Sequence, residues 1–338
     1  MNRKRIMVLV GGLTSIIFLY FALRGQDWAE IVDAFQKANY LWLIPAGCLI
    51  LADYVFRAWR WGVILKPAAR RQLPMSMLFP VLLLGFAANN VFPARAGEVW
   101  RMWGLTNRTH VRKTVALSTL IVERVFDVLT LLFLLAIASI VYPLPEHIKG
   151  IQYLLSGLFM FVLIGLLLII FFEQWTLRIT TRLIQPLPVS LRERLQGMIG
   201  SFAKGLHALK EPRALAGIVG SSLLAWGSQA FSFTAILLAF GLTYLPAAQL
   251  FGASILMLAL INILIMIPAG PGNVGTFEVA GKEALMITAI ATPEQAIAIV
   301  LVTHMLQWLL VTGLGVLIAV QQGITLTRLG TAPELTEG

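Results

Sequence analysis

The chain has 338 residues, 58% hydrophobic and 12% charged, with a net charge of +10 and a mean hydropathy of +0.83. Soluble globular proteins carry about 25% charged residues, so this composition excludes a soluble enzyme and indicates a helical integral membrane protein. The basic excess fits helix ends facing anionic headgroups rather than nucleic acid, and the single Cys48 excludes an intrachain disulfide. The four histidines have no zinc-site spacing, and neither a metal nor a cofactor is expected.

Residues 6–23 form an apolar run behind Arg3, Lys4 and Arg5. The run is long for a signal-peptide core and lacks a small-x-small cleavage pattern, so it reads as a retained first helix with its N-terminus in the cytoplasm. Residues 24–39 set Arg24 and Lys37 against Asp27, Glu30 and Asp33 and read as an outside loop. A second span covers residues 40–61. Arg57, Arg60, Lys66, Arg70 and Arg71 come with no acid among them, which marks the cytoplasmic side. Asp53 and Arg57 are four apart on one helical face and read as a structural ion pair.

The apolar run 75–88 is short for a crossing and ends abruptly in Asn89, Asn90, Pro93, Arg95, Gly97, Glu98 and Arg101. Backbone that leaves the helix at membrane depth must be buried in protein or line a wet cavity. Two readings stand: a re-entrant turn lining a polar pocket, or a cytoplasmic loop after a short helix. The acid-free basic residues that follow (Arg101, Arg108, Arg112, Lys113) stay inside only if the segment dips in and returns, which supports re-entrance.

A long span over 114–142 embeds Glu123, Arg124 and Asp127 in apolar sequence. Charges at bilayer depth cost roughly 2.5–3.5 kcal/mol each on insertion scales, so these three must face the bundle interior. They close on one another as a structural network or answer Arg95, Glu98 and Arg101. Residues 151–172 return the chain to the cytoplasm, and 173–213 read as a basic, helix-like connector at the inner surface.

Spans follow at 214–240 and 246–267, and then Pro268, Gly270, Pro271, Gly272, Asn273, Gly275 and Glu278. Glycine and proline at this density exclude regular helix, and the free amides ahead of a new helix at Thr276 suit an anionic group. No Gly-Lys-Ser/Thr follows, so this is not a nucleotide loop. Glu278 and Lys282 can pair across one turn of that short helix. In the last span, 296–320, His304 and Gln307 read as a hydrogen-bonded packing pair. The expected domain plan is one membrane domain over 1–325 and a polar tail over 326–338.

The two broken stretches echo each other: Pro93-Ala94 with Gly97 and Glu98 in one, Pro268-Ala269 with Gly272 and Glu278 in the other. Interrupted segments at matching places in two halves point to a transporter site. The expected fold is all-α and polytopic, with about 7–8 membrane helices plus re-entrant or broken segments, and an internal repeat left open, inverted or parallel.

These motifs — Asn90 to Arg101, Glu123-Arg124 with Asp127, and Pro268 to Glu278 — resemble the lysylphosphatidylglycerol synthase transmembrane, or flippase-like, family over about residues 5–325. The resemblance implies movement of a lipid across the membrane without the soluble aminoacyl-transferase domain that bifunctional members carry. It also implies that the substrate is a phospholipid, hopanoid or polyprenyl-linked lipid. Carried over by position, Arg95, Glu98, Arg101, Glu123, Arg124, Asp127 and Glu278 line or brace the headgroup cavity, joined by Asn90, Gly97, Gly270, Gly272, Asn273 and Gly275.

The reading is therefore a lipid translocator of the bacterial inner membrane, driven downhill or by an ion, with Glu123, Asp127 and His304 as candidate proton carriers. The alternatives are an accessory subunit of a separate lipid-modifying enzyme, or a membrane enzyme acting on lipid or polyprenyl phosphate. For the last, Ser118 and Thr119 have no histidine near them in sequence.

Overall fold

The structure, a computed structural model, describes residues 3–92, 96–109, 111–142, 146–189, 191–193, 196, 211–267 and 269–324. Among these residues the regular structure is helical, with no strand. Helix α1 (Arg3–Leu23) leads into α2 (Trp28–Lys37), and a 3-10 turn at Tyr40–Trp42 opens α3 (Leu43–Ala69). Next come α4 (Met75–Val91), α5 (Ala96–Thr106), α6 (Lys113–Val141), α7 (Glu146–Phe171) and α8 (Glu173–Leu183). The second half holds α9 (Pro212–Ala239), α10 (Ala247–Leu264), α11 (Thr276–Thr288) and α12 (Pro293–Gln321).

Five described stretches are long and apolar enough to cross a membrane: Tyr40–Pro67, Lys113–Val141, Pro212–Ala239, Ala247–Leu264 and Pro293–Gln321. Shorter apolar helices lie at Gly11–Leu23 and Met75–Val91. Helix α7, 26 residues with its charged residues confined to the first turn, extends the pattern. The chain is a multi-pass helical membrane protein.

The stretch 24–39 is not a plain loop. Asp27 accepts a hydrogen bond from the Ala29 amide at 2.8 Å and caps α2, whose Ile31 is buried against the bundle. A cap followed by apolar residues at helical spacing was the available signal.

Position in the bundle follows from which faces are apolar. In α10 every residue from Ala253 to Ala259 is buried, so this helix runs through the centre. Helix α7 instead leaves Tyr153 and Phe161 exposed, as a lipid-facing surface does. The most extensive pairing joins α3 to α9, where buried Ala46, Ala58 and Ala230 let the helices approach closely. The Ser232 hydroxyl donates across this pair to the Ala46 carbonyl at 3.0 Å.

Two helical hairpins interrupt the bundle. Helix α4, 17 residues or about 25 Å, falls short of a hydrocarbon core of about 30 Å, and α5 packs back along it. Their contact is backbone to backbone: a Cβ on Gly97 would overlap the Gly85 carbonyl. In the second hairpin α10 ends at Leu264, and α11 returns along it after a loop with positive φ at Gly272 (72°), Asn273 (58°) and Gly275 (91°). Only glycine and asparagine take that region readily, which accounts for the composition of this loop. The tips meet: the side of Gly272 faces the Asn90 carbonyl, and the Asn90 amide donates to the Thr312 hydroxyl of α12 at 3.1 Å.

The hairpins match in shape but not in bonding. The amide of Gly97, near the start of α5, donates to the Asn89 side chain at 2.8 Å. The amide of Gly275, at the start of α11, donates instead to that helix's own Glu278. Asn262, near the end of α10, bonds back to the Leu258 carbonyl of its own helix.

Candidate functional site

A cavity of about 280 Å³ opens between the hairpin tips and the long helices α3, α6, α9 and α12. One side of its wall is charged. Asp53 and Arg57 come from α3, Glu98 from α5, and Arg124 and Asp127 from α6. The other side is polar and aromatic, with Asn90, Gly272, Asn273, His304 and Trp308.

Asp53, Arg57, Arg124 and Asp127 on the charged side form one connected network. Arg57 Nε donates to Asp53 at 2.6 Å, its Nη1 lies 3.5 Å from Asp127, and its guanidinium stands 4.4 Å from the centre of the Trp226 ring. Trp226 Nε1 donates to Asp127 Oδ1 at 3.1 Å, and Arg60 Nη2 reaches the same oxygen at 2.8 Å. Arg124 touches Glu123 at 3.1 Å and Asp127 at 3.2 Å and, unlike Arg57 and Arg60, has a substantially exposed side chain, at 43%.

Behind this wall lies a second layer. Arg101 grips Glu123 through two parallel hydrogen bonds of 3.0 and 2.6 Å and covers the Trp61 ring. Arg60 and Glu123 have fully buried side chains, and Arg60 also donates to the Ser222 hydroxyl at 2.9 Å. Buried ion pairs hold only when geometry and extra hydrogen bonds offset their desolvation. The bidentate Arg101–Glu123 pair and the Arg60–Ser222 bond act in that direction, while Arg60 Nε and Arg101 Nε have no hydrogen-bond partner among the described residues. This layer braces α5 and α3 against α6 and so fixes where Arg124 and Asp127 point.

The structure thus sorts the residues singled out in the sequence. Asn90, Glu98, Arg124, Asp127, Gly272 and Asn273 line the cavity. Arg101 and Glu123 lie in the supporting layer, and Gly97 is a packing contact. The amides of Gly270 and Gly275 are already engaged, by Ser15 at 2.9 Å and by Glu278, so the glycine loop spends these donors on its own fold. Arg95 lies outside the described residues, as do Pro93, Pro268 and the tail 326–338.

Three expectations change. Arg57, Arg60 and Arg101 are not surface markers of sidedness: all three are buried, and of the basic residues from Arg57 to Arg71 the exposed ones are Lys66, in the last turn of α3, and Arg70 and Arg71 after it. His304 does not bond Gln307. Its Nδ1 lies 2.6 Å from Glu278 Oε1 and its Nε2 lies 2.8 Å from the Gly272 carbonyl, with the ring stacked on Phe277. Lys282 does not pair with Glu278; it donates to the Ala22 carbonyl at 3.1 Å and ties α11 to α1.

Sequence reasoning read Asp53 and Arg57 as an ion pair and His304 as a packing partner or proton carrier, did not single out Trp226, and placed none of the four in the headgroup cavity that they line. The four-residue spacing of Asp53 and Arg57 was visible, but nothing local said which way the pair faces. Ser118 and Thr119 donate to carbonyls of their own helix, at 2.8 and 2.7 Å.

The comparisons with known proteins agree with this architecture. The chain is 24% identical to the glycosyltransferase AglD of Haloferax volcanii over 89% of its length, and spans about half, 52%, of that protein. It is 27% identical to a UPF0104 membrane protein of Methanothermobacter thermautotrophicus, with 89% of each chain covered. A second UPF0104 membrane protein of that organism is 23% identical, with 94% and 95% covered. Residues 8–315 match the model of the lysylphosphatidylglycerol synthase TM region, and the chain belongs to that family.

Proposed function

We propose that this protein translocates a lipid with a polar headgroup across the cell membrane, and that the cavity between the two hairpins takes the headgroup. The observation that carries this reading is the pairing of both charge signs on one cavity wall, Arg57 and Arg124 beside Asp53, Glu98 and Asp127, among helices of membrane-spanning length. A headgroup drawn into hydrocarbon loses its hydration, and fixed charges of both signs replace those interactions while the acyl chains stay in lipid. Phospholipid, hopanoid and polyprenyl-linked headgroups all fit that description. We place the protein in the bacterial inner membrane, and exposed Lys66, Arg70 and Arg71 at the C-terminal end of α3 support an N-terminus in the cytoplasm.

A second reading has one observation in its favour. The match to half of a protein named as a glycosyltransferase suits a membrane module that serves a separate lipid-modifying enzyme. Reconstitution separates the two. Purified protein in phosphatidylglycerol-containing vesicles with headgroup-labelled fluorescent lipids should redistribute at least one of them between leaflets, and Glu98→Gln should stop it. Absence of redistribution for every lipid in the panel, with intact reconstituted protein, would move the weight to the accessory role.

A further inference from the structure

The hydrogen bonds of His304 demand a proton that an ordinary neutral histidine does not have. Nε2 faces the Gly272 carbonyl, which only accepts, so Nε2 carries hydrogen. A neutral imidazole then leaves a lone pair on Nδ1, which at 2.6 Å would face a carboxylate oxygen that also only accepts. The contact is attractive only with one more proton between them, on Nδ1 or on Glu278. The second carboxylate oxygen is committed to the Gly275 amide, so Glu278 cannot turn away without uncapping α11. The pair is 11% and 4% exposed, and His304 lines the cavity.

We propose that Glu278 and His304 form a proton-binding site that latches the second hairpin to α12 and releases it when the proton leaves. With the proton bound, α11 and the Gly272 loop are both tied to one ring on α12. Without it, two acceptors oppose each other and the α11 side of the latch opens. No other bond changes: the proton arrives from cavity water and returns to it. On the translocation reading, the proton is then the ion that moves the hairpin wall of the cavity.

Among the described residues, no other charged side chain is bonded to this pair. On α11, Glu283 is exposed and Lys282 is held at the Ala22 carbonyl. Helix α4 carries no charged residue, and the charged residue of α9, Arg213, sits in its first turn. Asp53 and Arg57 of α3 and Arg124 and Asp127 of α6 face the same cavity already paired with one another, and Glu98 of α5 lines it as well. Glu30, Asp33 and Lys37 of α2 are exposed, and Glu294 lies in the first turn of α12, remote from His304 in the helix.

The test is amide hydrogen exchange over residues 269–279 in the full-length protein, compared at matched pH with two variants. Glu278→Gln supplies an amide donor to neutral Nδ1 and closes the latch without a proton, and His304→Gln removes the titrating ring. The wild-type loop should exchange like Glu278→Gln near about pH 5 and roughly tenfold faster near about pH 9, with both variants showing no such step. A wild-type-to-variant ratio that stays constant over that range overturns the proposal, whatever the lipid assay shows. A clear step in a protein that moves no lipid leaves the latch standing and removes the translocation reading instead.

Discussion

Asn90 and Gly272, 182 positions apart, face each other at the tips of two separate hairpins, and each also touches α12, through Thr312 and Trp308. Each hairpin alone would leave unpaired backbone at its break. Together they share one polar cavity in which that backbone is either bonded or wet, the condition under which broken helix survives at membrane depth. The hairpins therefore depend on each other, and on α12 between them.

The supporting layer predicts an asymmetry. Glu123 is shared by Arg60, Arg101 and Arg124, whereas Arg101 has Glu123 as its carboxylate. Glu123→Gln strips buried Arg101 of its carboxylate, leaves Arg60 with Asp127 alone, and should cost about 3–5 kcal/mol, the scale for breaking a buried pair. Arg101→Gln leaves Glu123 with two guanidinium partners and should cost clearly less. Thermal unfolding in detergent checks the order; equal losses would mean that the carboxylate is not the hub.

Gly97 predicts a steric defect. A Cβ there would overlap the Gly85 carbonyl, so Gly97→Ala must part α4 from α5 or bend them, at about 1–3 kcal/mol or more. Gly220, on α9, has nothing within reach of an added Cβ, and Gly220→Ala should be neutral or slightly stabilising by up to about 1 kcal/mol. Unfolding midpoints of the two variants, measured side by side, decide it.

Much of this plan was legible in the sequence, because helix length, breakers and apolar runs are local. The break after Asn90 and the glycine loop before Thr276 follow from proline and glycine in membrane-length apolar sequence, and α6 follows from a long apolar run free of both. Side-chain destinations were not local. Arginine near a helix end reads as an anchor, yet Arg57 and Arg60 turn inward, where α9 offers Trp226 and Gln229 to the one and Ser222 to the other and α6 offers Asp127 to both. His304 was paired by spacing with Gln307, three positions away. Its real partner is 26 positions away and is brought to it only by the return of α11 against α12.

Arg124 predicts a functional loss with little structural one. Its side chain is 43% exposed at the cavity and touches two carboxylates that other arginines also hold, so Arg124→Gln should leave the folded protein nearly as stable as wild type. On the proposed function it removes a charge-assisted donor to the headgroup, worth about 1.5–3 kcal/mol and hence roughly tenfold or more in redistribution rate. Unchanged redistribution in vesicles with a well-folded variant would take Arg124 out of the headgroup path.

Asn89 predicts that the first hairpin depends on a single side chain for its second helix. The Gly97 amide, near the start of α5, has the Asn89 oxygen as its partner at 2.8 Å, and α5 carries both Glu98 at the cavity and Arg101 behind it. Asn89→Ala should cost about 1 kcal/mol, the scale of a lost helix cap, and should loosen the α5 amides in hydrogen exchange. Asn89→Asp keeps the acceptor and should retain the protection of α5, while adding a negative charge to the cavity wall. Translocation should then weaken for an anionic headgroup more than for a zwitterionic one, because like charge repels at short range in a dry site. Equal protection of α5 in wild type and Asn89→Ala would show that α5 is held by packing on Gly85 alone, with the cap contributing nothing.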